Sequence, residues 1–334
     1  MPNNAFFTCQ LHNGPETADA TCLILNDALQ INTLQKQLRL DFSAIRSFKL
    51  KNYQLLIETS NSTVGLSGLG RQTENFFEKL WLAYNSRCKE ALFIEGPVLY
   101  EGEGDFILSE QGEAQQGLAK IALYPNCLAI YPQNFNARRF PLCFSETPNA
   151  ESYRLSLSLD TGDFLQISRL GRNCLDVFEK ICHQRSQIIQ QWNDLHQELA
   201  AQLPNRLGDN VDEYEQMQQL GCHIISGLYT TDSEGFWFAG LHHGKAAVEL
   251  VSQEQTATYL YQYDSPDALF ESTLRHAMES VALHREVIFT DLSDKPLYQM
   301  TVQRSRFLQF LRDHNTGRLI HNSGWAAGLS SFFS

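Results

Sequence analysis

Leu69-Gly70-Arg71-Gln72-Thr73-Glu74-Asn75-Phe76-Phe77-Glu78-Lys79 is answered 101 residues later by Leu170-Gly171-Arg172-Asn173-Cys174-Leu175-Asp176-Val177-Phe178-Glu179-Lys180. Leu-Gly-Arg, five residues and Phe-Glu-Lys recur in the same order, which is the signature of an internal repeat and decides how the rest of the chain is read. Upstream, Leu40-Asp41-Phe42-Ser43 answers Leu142-Cys143-Phe144-Ser145, the run Ile24 to Ile31 answers Leu123 to Ile130, and Phe7 and Gly14 answer Phe106 and Gly112. Offsets drift where turns change length, as expected when strands are kept and loops vary.

Before the Leu-Gly-Arg motif the apolar residues alternate, and after it they follow a helical period. In the first copy the alternation predicts seven strands: Ala5 to Leu11, Ala20 to Leu25, Leu29 to Thr33, Gln37 to Phe42, Ser47 to Lys51, Tyr53 to Glu58 and Thr63 to Ser67. Phe76, Leu80 and Tyr84, with Phe77 and Trp81 alongside, then form one face of a helix ending near Arg87. Seven strands and one amphipathic helix make a small barrel with a plug for its open mouth.

This unit resembles the pleckstrin-homology fold, in two tandem copies over residues 1 to about 200. Tandem copies occur in bacterial proteins of unassigned function, the type this chain looks most like, and eukaryotic histone chaperones pair the same fold. The resemblance implies an interaction module whose exposed sheet edge beside the terminal helix accepts an extended peptide. Lipid-binding members of the family set Lys and Arg in the first hairpin loop. Here those loops, HNGPETADA (12–20) and SEQGEAQQG (109–117), hold no basic residue and carry Glu16, Asp19, Glu110 and Glu113, so no phosphoinositide or membrane partner is expected.

The second helix continues through Ile181, Ile188, Trp192, Leu195 and Leu199, an element of about 27 residues that extends past its barrel as an interdomain strut or an oligomer seam, which would make the protein a homo-oligomer. Next, AQLPNRLGDNV (201–211) reads as a linker. The expected organisation is therefore α+β: a barrel at 1–87, a barrel with a long helix at 88–200, a linker at 201–211 and an α+β unit at 212–334.

In that last unit a short helix at Tyr214 to Leu220 precedes strands near His223 to Tyr229, Phe236 to Leu241, Ala247 to Ser252 and Thr256 to Tyr263. Ser265-Pro266 starts a helix. A strand at Glu286 to Thr290, a helix from Pro296 to Asp313 and the tail GWAAGLSSFFS follow; the tail docks on a neighbour or stays loose. Sliding the first copy by 193 sets Phe77-Glu78 on Phe270-Glu271, although Gly70-Arg71 becomes Tyr263-Asp264, so a degenerate third copy is one reading of this unit.

The 334 residues hold 26 basic and 38 acidic groups, a formal charge of −12, with the acidity in the last two thirds. That field repels phosphate backbones, so nucleic acid is an unlikely partner and a basic protein a natural one. MPNNAFFTCQLHNG at the start lacks the basic and apolar regions of a secretion signal, and a cytoplasmic chain is expected. Eight cysteines without a CxxC pair read as reduced core thiols.

The chain carries no HExxH, GxSxG, GxxxxGK[ST] or GxGxxG pattern, and no cofactor is called for. The leading expectation is thus a non-catalytic interaction or scaffold protein that recognises a protein or peptide. Two alternatives stay open. His223, His242 and His243 could form a metal or catalytic site in the C-terminal unit, although neighbouring strand residues point to opposite faces. Arg71 and Arg172, which start helices, could hold a small anion, with Arg138-Arg139 a further basic pair.

Overall fold

A computed structural model describes residues 6–59, 62–110, 112–133, 136–207, 211–229, 235–251, 257–281 and 295–334. The first sheet holds β1 (Phe6–Asn13), β2 (Glu16–Ile24), β3 (Ala28–Thr33), β4 (Gln37–Asp41), β5 (Ile45–Lys51), β6 (Gln54–Thr59) and β7 (Thr63–Ser67) in the order β4-β3-β2-β1-β7-β6-β5. β1 pairs with β2 from Phe6↔Leu23 to Asn13↔Glu16 and with β7 from Gln10↔Ser67 to Asn13↔Val64, which curls the meander back on itself. Phe7, Cys9 and Leu11 point inward in strict alternation. Helix α1 (Thr73–Ala91) buries Phe76, Leu80, Trp81, Tyr84 and Cys88 against them, the face anticipated from the sequence.

The second sheet repeats this plan with β8 (Tyr100–Glu110), β9 (Glu113–Leu123), β10 (Cys127–Pro132), β11 (Arg138–Pro141), β12 (Asn149–Glu151), β13 (Arg154–Ser158) and β14 (Phe164–Ser168), in the order β11-β10-β9-β8-β14-β13-β12, followed by α2 (Cys174–Arg206). Two tandem pleckstrin-homology-like barrels, each capped by its own helix, are therefore the front of the molecule.

The copies agree in details the sequence hides. The hairpins β5–β6 and β12–β13 both turn on two non-glycine residues with positive φ, Asn52 and Tyr53 at 52° and 58° and Ser152 and Tyr153 at 50° and 61°. Gly70 and Gly171 have φ of 57° and 60°, the left-handed backbone that starts each helix and that other residues adopt only with strain.

Two boundaries move. α1 runs to Ala91 rather than Arg87, so the expected division at 87/88 falls inside a helix. α2 spans 33 residues and reaches Arg206, taking in the first half of the expected linker. Ile181 is fully buried in the second core and Ile188 packs against it, which makes them the barrel's plug rather than an oligomer seam. Trp192, Leu195 and Leu199 lie on the same helix, but their side chains fall outside the described residues.

The C-terminal unit opens with α3 (Val211–Gln219), followed by β15 (His223–Tyr229), β16 (Gly235–His242), β17 (Lys245–Val251), β18 (Ala257–Gln262), α4 (Asp267–Val281), α5 (Pro296–Arg304), α6 (Arg306–His314), β19 (Asn315–Ile320) and α7 (Trp325–Phe333). Its sheet is a five-stranded meander, β15-β16-β17-β18-β19, with α4 to α6 inserted before the last strand. Among the described residues this differs from both barrels, in which the first strand sits mid-sheet and the helix comes last, so a third copy is not the arrangement seen. The strand expected at 286–290 lies outside the described residues.

The helix expected from Pro296 to Asp313 is broken at Ser305, whose extended backbone (φ −108°, ψ 100°) ends α5 and whose Oγ accepts from Leu308 N–H to start α6. The tail is neither loose nor docked on a neighbour. Trp325, Leu329 and Phe333 of α7 are buried with Phe236, Phe238 and Leu260 on one face of the sheet, while α4 and α6 cover the other.

Candidate functional site: the cleft between the barrels

Helix α1 plugs the first barrel with one face and presents the adjoining face to the second barrel. Between that face and β8–β10 lies a cleft of ≈ 500 Å³. Asn85 bridges its floor by donating from Nδ2 to the carbonyl of Pro132 at 2.8 Å, and Tyr84 Oη donates to Asn136 Oδ1 at 3.1 Å. On the far wall the Tyr124 and Tyr131 hydroxyls lie 3.3 Å apart, and Lys89 Nζ sits 5.0 Å from the centre of the Tyr124 ring. Burial first, and then the Tyr124 hydrogen bond, push the Tyr131 phenol well above its ordinary value, so it stays neutral.

Trp81 and Asn85 line this cleft, and among the described residues Trp81 Nε1, a donor, and Asn85 Oδ1, an acceptor, are buried without a hydrogen-bond partner. Their residues stand four apart on α1, about 6 Å along the axis at ~1.5 Å per residue. An unpaired buried polar atom costs about 1–3 kcal/mol, so two of them together need a reason. The rim adds apolar surface at Leu82 and Val98, which are 65% and 45% exposed. Among its charged groups Glu78, Glu101 and Glu103 outnumber Lys89 and Lys120, and Lys120 is tied to Glu101 at 2.7 Å.

The residues singled out from sequence lie elsewhere. Arg71 and Arg172 are exposed at the starts of α1 and α2, on opposite copies, and make no ion pair among the described residues. Arg138 and Arg139 are on β11, an edge strand. Arg138 Nε lies 3.1 Å from both carboxylate oxygens of Glu110, and Arg139 is gripped by Glu279 of α4 at 2.5 and 2.6 Å, with side chains only 5% and 8% exposed. Arg139 is thus no solvated strand end; it faces a carboxylate of its own chain across a unit boundary.

His223 is exposed, 3.5 Å from Glu271. His242 and His243 bring their rings within 4.1 Å, against the expectation that neighbours on a strand diverge, because His243 leaves β16 into a tight turn with φ of 49° ahead of Gly244. Even so, among the described residues no three His, Cys, Asp or Glu side chains are placed to hold a metal ion.

Sequence reading missed a buried polar relay in the C-terminal unit. His321 Nδ1 meets Glu213 at 2.9 Å and its Nε2 meets Glu249 at 3.2 Å, while Thr258 donates to Glu249 and receives from Trp325 Nε1. The Glu249 hydrogen bond leads in raising the His321 pKa, and burial raises that of Glu249. With both ring nitrogens engaged, the imidazole clasps α3, β17 and the β19–α7 connection together.

No protein-family model matches the chain, and no curated protein matches it. Among solved structures 43 chains match. One, described as the structure of the Spt16D Pob3N heterodimer, is 13% identical and aligned over 47% of this chain and 85% of its own, with a TM-score of 0.20. At that score the likeness adds nothing to the strand order, on which the fold assignment rests. Among the described residues no helix is long and apolar enough to cross a membrane.

The signal that would have found the cleft was present. Trp81 fits the buried aromatic stripe, yet Asn85, a polar residue one turn along the same stripe, has no place in an apolar plug unless something polar faces it.

Proposed function

We propose that this chain is a non-catalytic interaction or scaffold protein built on tandem pleckstrin-homology-like barrels of the bacterial type, and that it binds an extended segment of a protein partner in the cleft between them. The observation that carries this reading is the orphaned pair, Trp81 Nε1 and Asn85 Oδ1. An extended peptide presents carbonyl and N–H groups along one edge, the kinds of partner that an unpaired donor and an unpaired acceptor on one helix call for. Leu82 and Val98 supply apolar contacts, and the excess of carboxylates on the rim, within a chain of formal charge −12, favours a basic segment.

The test is a peptide-array screen followed by titration of the strongest binders. Trp81→Phe keeps the ring and removes the N–H, and is expected to weaken binding about fivefold, the worth of one hydrogen bond. Basic peptides should bind more tightly than acidic ones, with the gap narrowing at high salt. Undiminished binding by Trp81→Phe and Asn85→Leu together would move the site elsewhere.

A further inference from the structure

A second, smaller cavity, independent of the cleft, lies where all three units meet. Its volume is ≈ 90 Å³, and its walls come from the residues after α1, from β8, β11 and the β13–β14 turn of the second barrel, and from α5 and α6. By liquid-water volume it would hold about three waters, the space of a single tetrahedral oxyanion. Four arginines line it: Arg138, Arg139, Arg304 and Arg306.

Three of these have carboxylates. Arg138 pairs with Glu110, Arg139 with Glu279 and Arg306 with Asp163. Arg304 does not. It is 4% exposed and its Nε donates to Cys88 Sγ at 2.9 Å, while Nη1 donates to the carbonyl of Met300 and to Gln303 Oε1, both at 3.2 Å. The guanidinium lies 4.8 Å from the centre of the Tyr84 ring. Burial lowers its pKa to about 9, which leaves it charged at neutral pH. Burial also holds Cys88 above the ordinary thiol value, so the sulfur is no counter-ion. Among the described residues, then, a nearly fully buried cation has only neutral partners, beside a cavity whose lining sets three further arginines against the carboxylates Glu110 and Asp163, with Glu279 pairing Arg139, and so keeps one positive charge in excess. A buried charge without an opposite one costs several kcal/mol unless something neutralises it.

We infer that this cavity binds one small oxyanion, of the size and charge of phosphate or sulfate, against Arg304, with Arg138 and Arg306 beside it. Because its walls belong to both barrels and to α5–α6, the bound anion would fasten the three units together, and occupancy would set how rigidly the barrels are held around the cleft.

The experiment compares thermal unfolding of the full chain in phosphate, sulfate and glycerol 3-phosphate with chloride at matched ionic strength, and counts sites by calorimetric titration with inorganic phosphate. The expected result is a saturable rise in Tm of several degrees and one anion per chain. A rise with inorganic phosphate alone identifies the free ion as ligand, and an equal rise with glycerol 3-phosphate identifies the phosphate group of a larger molecule.

Arg304→Gln is expected to abolish the rise. Arg304→Met supplies a second neutral side chain in case the first variant folds poorly, and in phosphate-free buffer it should melt no lower than the wild type, since it removes an uncompensated charge. Hydrogen exchange of the unaltered protein should slow in α5 when phosphate is added. The inference is overturned if the wild type shows no saturable rise over chloride, or if a folded Arg304 variant keeps all of it.

Discussion

The two barrels share strand order, turn geometry and the glycine that starts each capping helix, yet the C-terminal unit grips them by different chemistry. Against the first barrel the contact holds no ion pair among the described residues: its one cation, Arg304, meets the neutral Cys88 and the Tyr84 ring, and the rest is apolar or neutral. Met300 joins its core cluster, Leu297 packs on it, Thr301 Oγ1 donates to the carbonyl of Ala91 at 2.5 Å, and Gln303 donates to that of Ser43 at 3.0 Å. Against the second barrel the contact is ionic, Arg139 with Glu279 and Asp163 with Arg306, with a hydrogen bond between Asp160 and His276 at 2.5 Å beside them.

The cores differ likewise. The first is a nest of edge-on rings, with Phe48 4.8 Å from Trp81 and 4.9 Å from Tyr84, whereas the plug of the second is aliphatic, Val177 and Ile181. One topology is met by two packings, because the strand pattern needs only apolar residues of suitable total volume facing inward. What distinguishes the copies is the outer surface of each plug. That of α1 supports the cleft, and that of α2 leads away along a longer helix.

The sharpest way to break this contrast is Glu279→Ala. It leaves Arg139 buried and unpaired, and an unfolding titration should show a loss of about 3–5 kcal/mol. The double change Arg139→Met with Glu279→Leu should recover most of it, because the loss comes from the stranded charge. Full stability in the single variant would mean that the second barrel is not held ionically.

On the neutral side, Met300→Ala removes a fully buried side chain at the first barrel and should cost about 2–5 kcal/mol, with little dependence on salt in denaturant melts. A strong salt dependence would erase the distinction between the two grips.

A smaller effect separates the copies themselves. Arg169, φ 64°, stands where the first copy has Gly68, φ 73°. Left-handed backbone costs a non-glycine residue about 1–2 kcal/mol, and the exposed Arg169–Asp105 pair at 3.2 Å offsets little of that. Arg169→Gly should therefore stabilise the second barrel by up to about 1 kcal/mol; a clear loss would show that the ion pair matters more than the strain.

His321 lies apart from both grips and reports on the C-terminal unit alone. Its pKa is raised in the folded state, so the stability it adds is complete below the unfolded value near 6.5 and fades as pH climbs through the folded one. Burial raises the Glu249 pKa as well, which also favours the lower pH. Melts from pH 6 to 9 should fall more steeply for the wild type than for His321→Gln. Least of all, Arg172→Ala, an exposed change, should leave stability within about 0.5 kcal/mol.

The sequence alone determined the duplication, the seven strands and the amphipathic helix of each copy, and the neutral to acidic hairpin loops. Each of these is a local pattern, since side-chain alternation and helical period follow from backbone geometry over a few residues. Tertiary structure decided the rest. Arg139 and Glu279 are 140 positions apart, and Arg304 and Cys88 are 216 apart, so nothing in their neighbourhoods marks them as partners. The cleft and the charged cavity exist only where separate units meet, the C-terminal helix docks on strands roughly 60 to 90 positions before it, and burial, which turns an ordinary tryptophan or arginine into one with an unmet demand, is conferred by such meetings.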